Sequence, residues 1–163
     1  MSASARGRSN REKGRKFESQ VARMLTHASG VLWRRAKGGE EQPFGDVTPQ
    51  AVVGEPWSRM WCEAKAHSDV HPGHLLKPNR KLLGWWETCV EQAAAVEKSP
   101  CLFVRLKGWG VALITLNTIE ELLRMCGAES CWEGTWREWR VTQDGYLVSI
   151  TDAERMFARR LEP

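Results

Sequence analysis

Residues 61–66, Trp61-Cys62-Glu63-Ala64-Lys65-Ala66, constrain the fold of this chain more than any other stretch. Side chains alternate across a β-strand, so Cys62, Ala64 and Ala66 share one face while Glu63 and Lys65 share the other. The first face is small and apolar and suits close packing against a core. The second sets a carboxylate beside an ammonium. A strand of this kind, read as Arg59 to Ala66, calls for a covering element on its apolar face.

The flanking sequence adds helices and further strands. Phe17, Val21, Met24, Leu25 and Ala28 recur at helical spacing from a start near Asn10, and Gly30 stands where a C-cap glycine would. Residues 31–35 read as a short strand, 36–43 as a loop, and 44–53 as a second strand weakened by Pro49. Residues 54–58 form a turn before the third strand. Residues 67–79, with His67, His71, His74, Pro72, Gly73 and Pro78, read as an irregular loop. Leu82, Leu83, Trp86, Val90, Ala93 and Ala94 mark a second helix that ends before Pro100. Two apolar strands follow, 101–106 and 111–114, around a Lys107–Gly110 turn. Thr118 with Glu121 opens a short helix to Cys126. Residues 136–141 and 146–150 read as a hairpin around Asp144-Gly145, and Thr151 with Glu154 opens a terminal helix through Leu161.

The order α-β-β-β-α-β is thus complete by residue 106, which places the chain among α/β folds. Its 163 residues suit one domain. The division read from the sequence is a basic flexible arm over residues 1–12 and a single domain over 13–163, with its core at 13–115 and an extension at 116–163.

Charge adds a functional hint. Residues 1–16 hold Arg6, Arg8, Arg11, Lys13, Arg15 and Lys16 against Glu12 alone, whereas the whole chain carries only +4. A basic arm on a nearly neutral body attracts a polyanion and adds salt-dependent affinity. The five cysteines include no C-x-x-C pair, which disfavours a disulfide scaffold or an all-cysteine zinc site. No apolar run approaches a bilayer span, and the N-terminus lacks the apolar stretch of a secretory signal. The expected compartment is the cytoplasm, that of the host if the chain is viral, with no membrane partner. His67, His71 and His74 with Asp69 do not follow a standard zinc spacing and read as a loop near the active face. Most of the nine tryptophans read as core or interface anchors.

The chemistry lies upstream of the third strand as well as on it. Gly45-Asp46-Val47 sits on the preceding strand, and a short hairpin would bring Asp46 next to Glu63. Two such carboxylates suit a hard divalent cation; Mg²⁺ takes oxygen ligands, commonly one or two carboxylates with water and substrate phosphate. The Ala64 backbone carbonyl is a further candidate ligand. Lys65 can hold an attacking water or stabilise charge developing on a phosphate.

These residues resemble the PD-(D/E)XK nuclease superfamily, and within it the archaeal-type (Hjc-like) Holliday junction resolvases. The resembling stretch runs through Lys13-Gly14-Arg15-Lys16-Phe17-Glu18, Arg34-Arg35 with Gly38-Gly39, Gly45-Asp46-Val47 and Glu63-Ala64-Lys65. It continues into the helix holding Glu91-Gln92 and the strand from Pro100 to Leu106. The resemblance implies a restriction-endonuclease-like core, a mixed sheet flanked by helices. It implies a metal-dependent endonuclease that acts as a homodimer on four-way DNA junctions and makes paired symmetric cuts. It implies a catalytic set of Glu18, Asp46, Glu63 and Lys65. Glu18, Asp46, Glu63 and the Ala64 carbonyl would ligate Mg²⁺, with Mn²⁺ as a substitute. Branched or duplex DNA would meet Arg11, Lys13, Arg15, Lys16, Arg34, Arg35, Lys37, Lys77, Arg80 and Lys81. Two departures stand out. Lys37-Gly38-Gly39 occupies the loop where the resolvases tend to carry serine, and Gly45 precedes Asp46 where they usually carry proline. Two other readings remain open from the residues: a structure-specific or restriction-like nuclease of the same fold, and a DNA-binding module without catalysis.

Overall fold

The computed structural model describes residues 3–29, 31–36, 44–50, 56–76, 79–108, 110–116, 137–141 and 146–151. Helix α1 spans Ala3–Ser29 and is followed by strands β1 (Trp33–Arg35) and β2 (Val47–Pro49). A 3-10 turn, η1 (Pro56–Arg59), leads into β3 (Met60–Ala66). Then come a single turn α2 (Gly73–Leu76), helix α3 (Arg80–Ala94), and strands β4 (Ser99–Leu106) and β5 (Gly110–Thr115). Strands β6 (Arg137–Val141) and β7 (Tyr146–Thr151) complete the described chain. The predicted α-β-β-β-α-β order is present, and it forms the restriction-endonuclease-like core, a mixed sheet between helices.

The main sheet has the order β3-β4-β5-β7-β6. Strands β3 and β4 are parallel, as the α3 crossover requires, and the remaining pairs are antiparallel. The predicted C-terminal hairpin exists as β6 and β7, and it lengthens the sheet beyond β5. Each face has its own core. Cys62, Ala64, Cys101, Phe103, Val111 and Leu113 pack with Phe17, Val21, Met24 and Leu25 of α1. Trp61, Leu102, Val104, Ala112 and Ile114 pack with Leu82, Trp86, Cys89 and Ala93 of α3. The small-residue face of β3 packs into a core, as the alternation predicts, and α1 is the helix that covers it. Among the described residues, Trp33, Trp57, Trp61 and Trp86 are buried.

Several local expectations change. Helix α1 begins at Ala3, so the segment expected as a flexible arm forms its first turns. The segment's two alanines, three arginines and Glu12 favour helix without an apolar stripe, and the stripe alone marks only where the helix starts to pack. The second strand is three residues, not ten. The histidine-rich segment is anchored rather than loose. Val70 and Leu75 are buried in the α3-side core, α2 forms within it, and Lys107 donates its backbone N–H to the Val70 carbonyl at 2.9 Å. Strand β4 starts at Ser99 and takes in Pro100, one residue ahead of its pairing with β5, which begins at Cys101. Thr151 is the last residue of β7. The predicted helices over 118–126 and 152–161, and the loop over 37–43, lie outside the described residues. Among the described residues, no helix is long and apolar enough to cross a membrane.

Candidate active site

Strand β3 lies at one end of the main sheet, and the chain just ahead of β2 attaches to its outer edge. The attachment is not the antiparallel hairpin expected from the sequence. Gly45 and Cys62 form an isolated parallel bridge. Cys62 donates its N–H to the Phe44 carbonyl at 2.8 Å, and its carbonyl accepts from the Asp46 N–H, also at 2.8 Å. The Lys98 ammonium lies 3.3 Å from the centre of the Phe44 ring, a cation–π contact that holds the segment's other side. Strand β2 pairs instead with β1, antiparallel, with Arg35 opposite Val47.

Gly45 is what lets the two segments meet. Its φ is +87°, a left-handed conformation open to glycine and closed to proline. A Cβ there would stand 2.5 Å from the Cys62 carbonyl oxygen. The departure from the resolvases' proline is therefore a geometric requirement of this chain.

The close approach puts Asp46 over the edge of β3. Its Oδ2 accepts from the Ala64 N–H at 3.0 Å and from the Lys65 ammonium at 3.4 Å. Lys65 Nζ also donates to Glu63 Oε2 at 2.5 Å. Strand alternation sends the Ala64 carbonyl toward the same edge as that of Cys62. Glu63 is only 7% exposed and sits with Lys65 on the α3 face of the sheet. Glu18 reaches the neighbourhood from α1, half-buried, with Arg35 Nη1 at 3.8 Å from its Oε2.

The electrostatics show crowded negative charge. Burial, then the Asp46 charge, raises the Glu63 carboxyl above the ordinary glutamate value, against the pull of Lys65. The same two causes raise Glu18, opposed by Arg35 and Lys65. Burial alone would lower the Lys65 ammonium, but Asp46 and Glu63 beside it hold it above its ordinary value. A hard cation would relieve the repulsion among these carboxylates.

The structure thus brings Asp46, Glu63, Ala64 and Lys65 together and sets Glu18 beside them. As the side chains stand, no three acidic, histidine or cysteine groups among the described residues converge as a metal cluster; Lys65 lies between Asp46 and Glu63, and Glu18 leans toward Arg35. Of the predicted DNA contacts, Arg15, Lys16, Arg34 and Arg35 line one groove beside α1. Arg11 and Lys13 are exposed on the earlier turns of α1. Arg80 and Lys81 lie at the start of α3, where Lys81 Nζ is 3.0 Å from His67 Nε2. Lys37 and Lys77 lie outside the described residues. His67 pairs with Asp69 at 3.3 Å, and the His71 and His74 rings are 5.7 Å apart.

A family model described as "phage putative PDDEXK endonuclease" matches residues 9–147. The chain belongs to that family. No curated protein and no solved structure matches it. Family membership makes the chain a PD-(D/E)XK nuclease, with DNA as its substrate class. The match covers α1 from Ser9 onward, the Gly45-Asp46 bridge, β3 with Glu63 and Lys65, α3 and the sheet as far as the start of β7. Sequence reasoning missed the structural demand on Gly45, although the missing proline ahead of Asp46 was its visible sign.

Proposed function

We propose that the chain is a Mg²⁺-dependent endonuclease that resolves four-way DNA junctions by paired symmetric cuts. The observation that carries the chemistry is the convergence of Asp46, Glu63 and Lys65 across the Gly45–Cys62 bridge. The donor set fits the cation: hard carboxylate oxygens whose burial and mutual repulsion leave negative charge uncompensated, with a backbone carbonyl at the same edge. Asp46, Glu63, Glu18 and the Ala64 carbonyl would hold it, and Mn²⁺ suits the same ligands. When bound, the metal supplies Lewis-acid charge at the scissile phosphate and a more acidic water.

The chain's own residues do the rest. The β3 backbone fixes Asp46 through the Ala64 N–H, so this carboxylate does not rely on a flexible loop for its aim. Lys65 remains protonated at neutral pH and presents an ammonium where charge develops on the phosphate or where a water is held. Arg35, beside Glu18, stands at the border between this site and the basic groove. The proposed domain plan is a core over residues 13–115 with an extension over 116–163. A two-fold homodimer would place two such sites on the two equivalent strands of a junction. The proposed compartment is the cytoplasm, the host's for a phage chain.

The deciding experiment compares a four-way junction, a linear duplex and a flap, each with Mg²⁺ and with EDTA. Paired cuts confined to the junction, dependent on Mg²⁺ and abolished by Asp46→Asn, are expected. Asp46→Asn keeps an oxygen for the Ala64 N–H, and its junction binding should persist because phosphate contacts supply most affinity. Equal cutting of duplex or flap would replace the resolvase reading with a restriction-like one. Binding without cutting would remove the catalytic reading altogether. Light scattering tests the dimer; a clean 18.5 kDa species that still makes paired cuts would reject it.

A further inference from the structure

An open groove of about 810 Å³ runs along α1 next to β1. Six cations line it: Arg15, Lys16 and Arg23 from α1, Arg34 and Arg35 from β1, and Arg105 from β4. Glu12 is the one carboxylate of its lining, and it pairs with Lys16 at 2.8 Å. Arg35 lines the groove and also faces Glu18, so the groove opens beside the Asp46–Glu63–Lys65 cluster.

Two of these cations, Arg23 and Arg105, are exposed, and neither forms an ion pair among the described residues. Positions 101, 103 and 105 of β4 point to the α1 side. Cys101 and Phe103 are buried there, but Arg105 is exposed and sits with its guanidinium 5.9 Å from the Phe17 ring centre. A cation thus replaces the apolar residue that the alternation calls for, at the point where the sheet meets the groove. Arg23 falls seven residues after Lys16 and four after Ser19, which puts all three on one stripe of α1. That stripe flanks the buried Phe17–Val21–Met24–Leu25 stripe and is polar throughout.

We infer that this groove seats the sugar–phosphate backbone of the DNA arm that leads away from the scissile phosphate, with Arg23 and Arg105 as phosphate contacts. The dimensions agree. From Glu12 to Arg23 the helix rises about 16 Å, and a duplex carries one phosphate per strand every ~3.4 Å of axis. The groove therefore matches about five base pairs of one backbone. Its guanidinium groups suit phosphate oxygens bidentately. Phosphate contacts of this kind carry no sequence information, so the groove contributes register and affinity rather than sequence choice. The inference rests on the nuclease reading only for the identity of the polyanion.

The test measures binding without cleavage. A fluorescein-labelled linear duplex is titrated with the full chain carrying Asp46→Asn, in EDTA, over a range of KCl concentrations. Adding Arg23→Ala and Arg105→Ala should make the slope of log affinity against log salt shallower by ~0.9 for each phosphate that is no longer neutralised. Arg23→Lys with Arg105→Lys should keep the slope, because the charges remain. Arg59→Ala, an exposed cation outside the groove, should leave it unchanged. A slope for the alanine pair no different from that of Arg59→Ala would overturn the inference. So would a lysine pair as impaired as the alanine pair, since the impairment would then follow structure rather than charge. Circular dichroism melting of each variant checks folding. Absence of Mg²⁺-dependent cutting by the unaltered chain would sink the nuclease reading while leaving this measurement intact.

Discussion

Strands β3 and β4 lie side by side, parallel and in register, and use the same face in opposite ways. Glu63 pairs with Leu102 and Lys65 with Val104. On β4, Leu102, Val104 and Leu106 are all buried against the α3 layer. On β3 the run begins with buried Trp61 and then turns to Glu63 and Lys65. The difference follows from position in the sheet. Strand β4 has a full partner on each side, β3 and β5, so an ionised group there would have no exit to water and a high desolvation cost. Strand β3 has an outer edge where Asp46 arrives, and its charged pair can be neutralised across that edge. Core and chemistry are separated by one strand spacing, roughly 4.8 Å.

The comparison can be broken most strongly on the β4 side. Leu102→Ala should cost about 2–5 kcal/mol of folding stability, read by denaturant melts, and leave the single-turnover rate of the folded fraction close to that of the unaltered chain. Lys65→Ala should do the reverse: a fall of at least ~10²-fold in single-turnover cleavage, or about 2.7 kcal/mol of barrier, with the α3 core intact. If Leu102→Ala abolished the chemistry as well, the two strands would not be separable.

Glycines sharpen the contrast at smaller scale. Gly45 and Gly108 both have positive φ, +87° and +75°. Only Gly45 has a backbone in the way; around Gly108 an added Cβ meets nothing within 4 Å. Gly108→Ala should therefore cost about 1–2 kcal/mol of stability from conformation alone and leave cleavage unchanged. Gly45→Ala should cost about 1–3 kcal/mol and also remove cleavage, because the bridge that carries Asp46 cannot close. Equal activity in the two variants would show that the bridge does not hold the site.

The smallest expected effect is in pH. Glu63 is raised by burial and by Asp46, so as pH falls its carboxylate protonates sooner than an ordinary glutamate at 4.5. Divalent-cation affinity, measured calorimetrically, should then decline with falling pH from a midpoint above that value. The metal-free fold moves the other way: a carboxyl with a raised folded value contributes stability below its unfolded value that fades as pH rises through the folded one. Leu102 pairs with Glu63 and burial is the first cause of the shift, so Leu102→Ala should move the midpoint down toward the ordinary value.

Much of this arrangement was legible in the sequence. Period-2 alternation placed Glu63 and Lys65 on one face and Cys62, Ala64 and Ala66 on the other; that α1 covers the second is visible only in the fold. The helical stripe from Phe17 to Leu25 found the core face of α1. Most of the errors share a cause: they turned on partners distant in sequence, whereas the extension of α1 to Ala3 turned on local propensity. Nothing local distinguishes a hairpin from the parallel Gly45–Cys62 bridge, since both bring Asp46 to Glu63. Val70 and Leu75 looked like loop residues because Pro and Gly surround them, yet the α3-side core recruits both. Arg105 broke the Cys101–Phe103 alternation in plain view, but the break acquires meaning only when β1 and α1 stand beside it. The catalytic roles themselves came from resemblance; geometry contributed their proximity.

The Gly45–Cys62 bridge has a further consequence, for how such a site can change over generations. Two backbone hydrogen bonds, not the length of the intervening chain, set the separation of Asp46 from Glu63. In a hairpin, inserting a residue in the turn shifts register and flips side chains to the wrong face. Here the segment between Pro49 and Pro56 can lengthen, shorten or diverge in lineages while both carboxylates keep their spacing. A constraint of that kind concentrates selection on Phe44, Gly45, Asp46 and Cys62 and relaxes it on the chain that joins them.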